Sequence, residues 1–219
     1  MRISGIEYLS KEDIEARSRT LLSQFNPKCF QALQNIPMRK LCDYLTGAFG
    51  LSFNLKAALG YTADRSKILG TYCPVNKRVS IDMSIAWHED RLNFTLAHEI
   101  GHWALHSKVK ILNCSSNNFT DTEYGLTADR KKINTDADRM EWQANHFAAC
   151  LLMPAGVVKE VLLKVLQKTS SLAKDGRIYL DELQYSVSDF KNIIKSLSDF
   201  FSVSPQAMEY RLNELDLII

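Results

Sequence analysis

His98, Glu99 and His102 form a His-Glu-x-x-His pattern inside Phe94-Thr-Leu-Ala-His98-Glu99-Ile-Gly-His102-Trp. Residues at i and i+4 share one helical face, so two imidazoles at this spacing can reach one metal ion. Zinc accepts imidazole nitrogen and prefers a tetrahedral site. Glu99 follows the first histidine and sits beside the metal without having to bind it. From there it can take a proton from a metal-activated water and later deliver it to a leaving amine. Zinc lowers the pKa of such a water to about 7, so the implied chemistry is hydrolysis at neutral pH. The bland alternative is a helix carrying two unrelated histidines. The periodic apolar segment around the motif weighs against it. So does Gly101, which lacks a side chain and permits close approach by another backbone.

A catalytic zinc takes a third protein ligand and keeps a fourth position open. His106 lies one further turn along the same face. A set of His98, His102 and His106 would spread over about 12 Å of helical rise, too far for one ion. His106 therefore reads as a helix C-terminal residue favoured by the dipole. The elongated metzincin pattern would need Gly at 105 and His at 108, where this chain has Leu105 and Lys108. Glu141, in Met140-Glu-Trp-Gln-Ala-Asn145, is the better third ligand, with Asp136 and Asp138 as rival carboxylates in or near the preceding loop. Asn145 is one turn further along the face of Glu141 and could hold the outer nitrogen of a ligating histidine.

The two blocks together, Phe-Thr-Leu-Ala-His98-Glu99-Ile-Gly-His102 and Glu141-Trp-Gln-Ala-Asn145-His-Phe-Ala-Ala-Cys-Leu-Leu-Met-Pro154, resemble the ImmA/IrrE family of metallopeptidases. The likeness spans about residues 68–160 and extends more weakly to Val203-Ser-Pro-Gln-Ala-Met-Glu-Tyr-Arg-Leu; residues 1–60 carry little of it. The family pattern often has an acidic residue where Gln143 stands here. The resemblance implies a cytosolic zinc endopeptidase of gluzincin-like geometry. Such proteins are similar to phage and mobile-element regulators that cleave a helix-turn-helix transcriptional repressor and so switch genes on. Glu99 would be catalytic, one zinc ion would sit on His98, His102 and Glu141, and the transition-state donor would be one of His146, Tyr124 and Arg130.

These residues need two long helices. Apolar spacing predicts one from about Glu89 to His106 and another from about Asp136 to Leu152, with Pro154 restarting the chain as a further helix. Ser10 and Asp13 mark a helix start before Ile14, Leu21, Leu22 and Phe25. Pro37 opens another helix with Leu41, Tyr44, Leu45 and Phe49 inward. Ile68 to Cys73 and Arg78 to Met83 read as a hairpin around Pro74 and Asn76, one strand of which could pair with an extended substrate. Residues 113–139 read as a long polar loop. Ser204 and Pro205 start a final helix after an apolar face of Phe190, Ile193, Ile194, Leu197 and Phe201. The expected fold is α+β: a mostly helical, zincin-like domain with a small β-sheet over residues 1–168, a linker at 169–188, and a helix-turn-helix-like tail at 189–219.

The 219 residues suit one compact domain, or one domain plus a small appendage. Apolar residues at 46% supply a core, and 14 Gly plus Pro lean toward helix. A net charge of +2 gives no global push toward nucleic acid or an acidic membrane. The tail mixes Lys191, Lys195 and Arg211 with Asp189, Asp199, Glu209, Glu214 and Asp216, which favours packing or protein docking over DNA. Arg130, Lys131 and Lys132 read as a solvated loop. The five cysteines are odd in number and widely spaced, as in a reducing compartment. The start of the chain has no apolar leader-like run, and Phe147 to Val158 is too short to span a bilayer. The expectation is a cytoplasmic protein with no membrane segment. Cys114 stands 12 residues after His102 and could occupy the fourth zinc position as a latent-state thiolate, with Cys73 a second choice. Two other classes stay open: a non-catalytic zinc-containing module that binds a repressor or DNA, and a toxin-like member of a paired system.

Overall fold

Helix α3 (Glu89–His106) is buried without a break from Thr95 to His102, so it passes through the interior rather than lying on a surface. Its first turn carries Glu89 and Asp90, which suit the positive end of the helix dipole. Helix α4 (Asp136–Leu152) begins with a capping box. The backbone N–H of Asp138 donates to Thr135 Oγ1 at 3.1 Å, and Thr135 N–H donates to the Asp138 carboxylate at 2.9 Å. Both helices have the bounds that their apolar spacing predicts. The computed structural model describes residues 2–4, 6–30, 33–112, 119–122, 133–168, 173–180 and 184–219.

The two helices meet at Gly101. A Cβ added there would lie 3.1 Å from Ala144 O and 3.3 Å from Phe147 Cβ. The missing side chain is what lets the backbones approach. Behind α4 lies α1 (Lys11–Phe25), capped by Ser10 and Asp13 as expected and burying Ile14, Ser18, Leu21 and Leu22 on one stripe. Helix α2 (Met38–Phe49) ends where Gly50 turns left-handed at φ 69°, its N–H donating back into the last turn.

The other face of α3 rests on a four-stranded sheet in the order β2-β4-β3-β6, made of β2 (Ser52–Ala57), β3 (Ile68–Cys73), β4 (Arg78–Asp82) and β6 (Phe119–Thr122). The predicted hairpin is the antiparallel pair β3–β4, with Gly70 opposite Ile81 and Tyr72 opposite Val79. Strand β2 joins β4 in parallel and β6 joins β3 antiparallel. Both hairpin strands are therefore interior, and among the described residues the sheet edges are β2 and β6. That corrects the expectation that residues 68–83 offer an edge to a substrate. Strand β6 also lies within the stretch read as loop. Strands β1 (Arg2–Ser4) and β5 (Lys110–Leu112) pair antiparallel elsewhere.

Pro154 leads into α5 (Ala155–Leu166), and the short hairpin of β7 (Ala173–Lys174) and β8 (Arg177–Ile178) follows. Helices α6 (Gln184–Phe201) and α7 (Pro205–Glu214) come last, α7 capped by Ser204 with Pro205 in its first turn. Ile193, Ile194, Leu197, Phe201, Met208 and Leu212 are buried in the main core. Arg211 is buried too. Its Nε–H donates to Met153 O at 3.0 Å, and its terminal nitrogens pair with Glu15 at 2.5 Å and Glu214 at 2.9 Å. The tail is thus fastened to α1 and α4. No helix among the described residues is long and apolar enough to cross a membrane.

Candidate metal centre

One turn of α3 separates His98 from His102, and the two Nε2 atoms face each other at 3.0 Å. Helix α4 brings Glu141 to them: its carboxylate oxygens lie 3.3 Å from His98 Nε2 and 3.5 Å from His102 Nε2. Among the described residues this is the metal-capable group, with its ligand atoms within 4.8 Å of one another. The close approach at Gly101 makes the convergence of the two helices geometrically possible.

The surroundings prepare these atoms. Asn145 Oδ1 accepts from His98 Nδ1–H at 2.8 Å, which leaves the lone pair of His98 on Nε2. Burial pushes the His102 imidazole below its ordinary range, against the pull of Glu141, so it is neutral. Two neutral imidazole nitrogens and one carboxylate are a donor set that fits a divalent metal ion.

Glu99 is fully buried. It lies against β3 at Gly70, where an added Cβ would be 2.6 Å from Glu99 Oε1 and 2.7 Å from Thr95 Cγ2. The strand's glycine therefore makes the space that the carboxylate occupies. Nothing in the spacing of Gly70 signals this; the contact appears only when β3 is laid on α3.

His106 corrects the sequence reading. It is 1% exposed, not a charged residue on the helix dipole. Burial and the neighbouring His102 push it down to about 3, so it is neutral. Its Nδ1 is 3.0 Å from His102 Nδ1, and its Nε2–H donates to Gln143 Oε1 at 2.8 Å. The i+4 spacing that joins His98 to His102 continues to His106, and that spacing was the available signal.

Of the rival carboxylates, Asp138 is occupied in the α4 capping box and Asp136 lies exposed in its first turn. His146 turns toward the tail, with Nδ1 2.9 Å from Glu214 and its ring stacked on Trp142. Cys73 is half-buried at the end of β3 and is not in the metal-capable group. Cys114, Tyr124, Arg130, Lys131 and Lys132 lie outside the described residues.

Two paired helices thus share a metal-capable cluster above a small mixed sheet. The peptidase M78 family, described as the IrrE N-terminal-like domain, matches residues 86–213, and the chain belongs to that family. The match runs from just ahead of α3 into α7. A Mycobacterium tuberculosis transcriptional regulator has a similar fold, with a TM-score of 0.53 and 16% identity, over 92% of this chain and 46% of that one. The chain thus spans less than half the length of that regulator. No curated protein matches the sequence.

Proposed function

We propose that the protein is a zinc endopeptidase that cleaves a helix-turn-helix transcriptional repressor and thereby derepresses genes. The observation that carries this reading is Glu99: a fully buried carboxylate on α3 directly after His98, one of the cluster of His98, His102 and Glu141. A purely structural metal site has no use for such a neighbour. Zinc bound there would polarise the scissile carbonyl and make water acidic enough to ionise near neutral pH.

The chain's own residues do the rest. His98, His102 and Glu141 hold the ion, and Asn145 keeps the His98 ring turned with its lone pair inward. Glu99 takes the proton from the attacking water and passes it to the leaving amine nitrogen. Gly70 lets that carboxylate stand against the sheet. Strand β6, an edge among the described residues and packed beside α3, suits an extended substrate segment by strand addition. A repressor would have to present a flexible linker, because folded backbone is already hydrogen-bonded.

The test is incubation of the zinc-loaded protein with a helix-turn-helix repressor encoded beside it, in parallel with Glu99→Gln, followed by intact mass. Cleavage by the wild type alone, with zinc held equally by both, supports the proposal. An intact repressor that still binds the zinc-loaded protein would instead favour a binding module.

A further inference from the structure

A chain of hydrogen bonds runs from His102 to a backbone carbonyl ahead of α1, and its polarity can be read link by link. Glu7 O only accepts. Gln143 Nε2 stands 3.0 Å from it, so Gln143 turns its NH₂ to Glu7 and its oxygen to His106. Gln143 Oε1 only accepts, so His106 Nε2, at 2.8 Å, carries a proton. A neutral imidazole has one N–H, so His106 Nδ1 is an acceptor. His102 Nδ1, at 3.0 Å, must then donate to it. The lone pair of His102 therefore lies on Nε2, the atom that faces His98 and Glu141.

We infer that His106 and Gln143, anchored by the Glu7 carbonyl, are positioning residues that fix the tautomer and ring plane of His102. The inference rests on the metal-centre reading for its purpose; without a metal a proton lies between the two facing Nε2 atoms, and the relay sets the Nδ1–H of His102 alone. His98 reaches the same state in one step through Asn145, whereas His102 needs three partners. The relay also explains the amide at position 143. A carboxylate could accept from His106, but it has no N–H for Glu7. The segment before α1 is thus tied to the centre through polar links.

The experiment has two readouts. Long-range ¹H–¹⁵N spectra of the metal-free protein read the protonated nitrogen of each of the five imidazoles. The expected result is His106 protonated on Nε2 and not on Nδ1, with a proton on His102 Nδ1; a His102 that carries no proton on Nδ1 overturns the relay. Zinc affinity is then measured by chelator competition for Gln143→Leu and Gln143→Glu. Gln143→Leu removes the acceptor and should weaken zinc by about 10- to 100-fold. Gln143→Glu keeps an acceptor for His106 and should stay within about threefold of wild type. Equal losses in both variants, or none in Gln143→Leu, overturn the inference. A merely structural role would lower the unfolding temperature of metal-free Gln143→Leu without changing the His106 tautomer. A wild-type protein that takes up no zinc would sink the metal reading, while the spectra would still decide the relay.

Discussion

At Gly70 a hydrogen in place of a methyl group decides where Glu99 can stand. The Gly70→Ala methyl would meet Glu99 Oε1 at 2.6 Å and push the carboxylate aside. Misplacing a catalytic group by about 1 Å costs on the order of 10²-fold in rate. Turnover of Gly70→Ala should fall by that order while zinc affinity, measured separately, stays near wild type. Asn145→Ala should show the opposite split. With no acceptor for His98 Nδ1–H, zinc should loosen by about 10- to 100-fold. At this scale the sequence is informative where chemistry follows helical spacing. His98, His102, Glu141 and Asn145 can be picked out by their places on two helices, and the structure brings them together. Gly70, Gln143 and the true setting of His106 escape such a reading. Their partners lie on other elements, at separations no periodicity encodes.

The interface between α3 and α4 is where spacing becomes geometry, because His98 and His102 of the metal-capable cluster lie on one side and Glu141 on the other. Gly101→Ala would press a methyl against Ala144 O at 3.1 Å. Overpacking of this kind costs about 1–3 kcal/mol. For a chain of this size each kcal/mol lowers the unfolding temperature by about 2–4 °C. Gly101→Ala should therefore lose stability and zinc affinity together. Thr135→Ala gives the contrast. It removes the α4 cap, at about 1 kcal/mol, but not the residues facing α3. Calorimetry should show a lower unfolding temperature with zinc affinity unchanged. Both long helices are legible from their apolar spacing and the Thr135 start. The sheet is only half legible. The β3–β4 hairpin announces itself through Pro74 and Asn76, whereas β2 pairs in parallel with β4 across a long connection, and short β6 lies in a polar stretch. Pairing across such distances depends on the assembled core rather than on local pattern.

Across the whole molecule, buried Arg211 joins α7 to α1 and to the end of α4. Burial would raise the Glu214 carboxyl, but His146 and Arg211 outweigh it and bring it down to about 2, from 4.5. A carboxyl depressed on folding contributes stability that is full above its unfolded value and is lost as pH falls toward the folded one. The unfolding temperature should therefore drop between about pH 4.5 and pH 2, and Glu214→Gln should flatten that slope. Arg211→Met takes the guanidinium from Glu15, while Glu214 keeps Lys11 and His146, and should cost about 3–5 kcal/mol, measurable by denaturant titration at neutral pH. Zinc at 100 times its dissociation constant should add about 2.7 kcal/mol to the folded state, and a chelator should remove it. Glu15 and Arg211 are 196 residues apart in the chain. At about 5–20 residues per second, a ribosome takes about 10–40 s to travel between them. Until then α4, which carries Glu141, lacks its fastening to the last helix. The order of synthesis thus delays the Glu15–Arg211 pair until well after His98, His102 and Glu141 have been made.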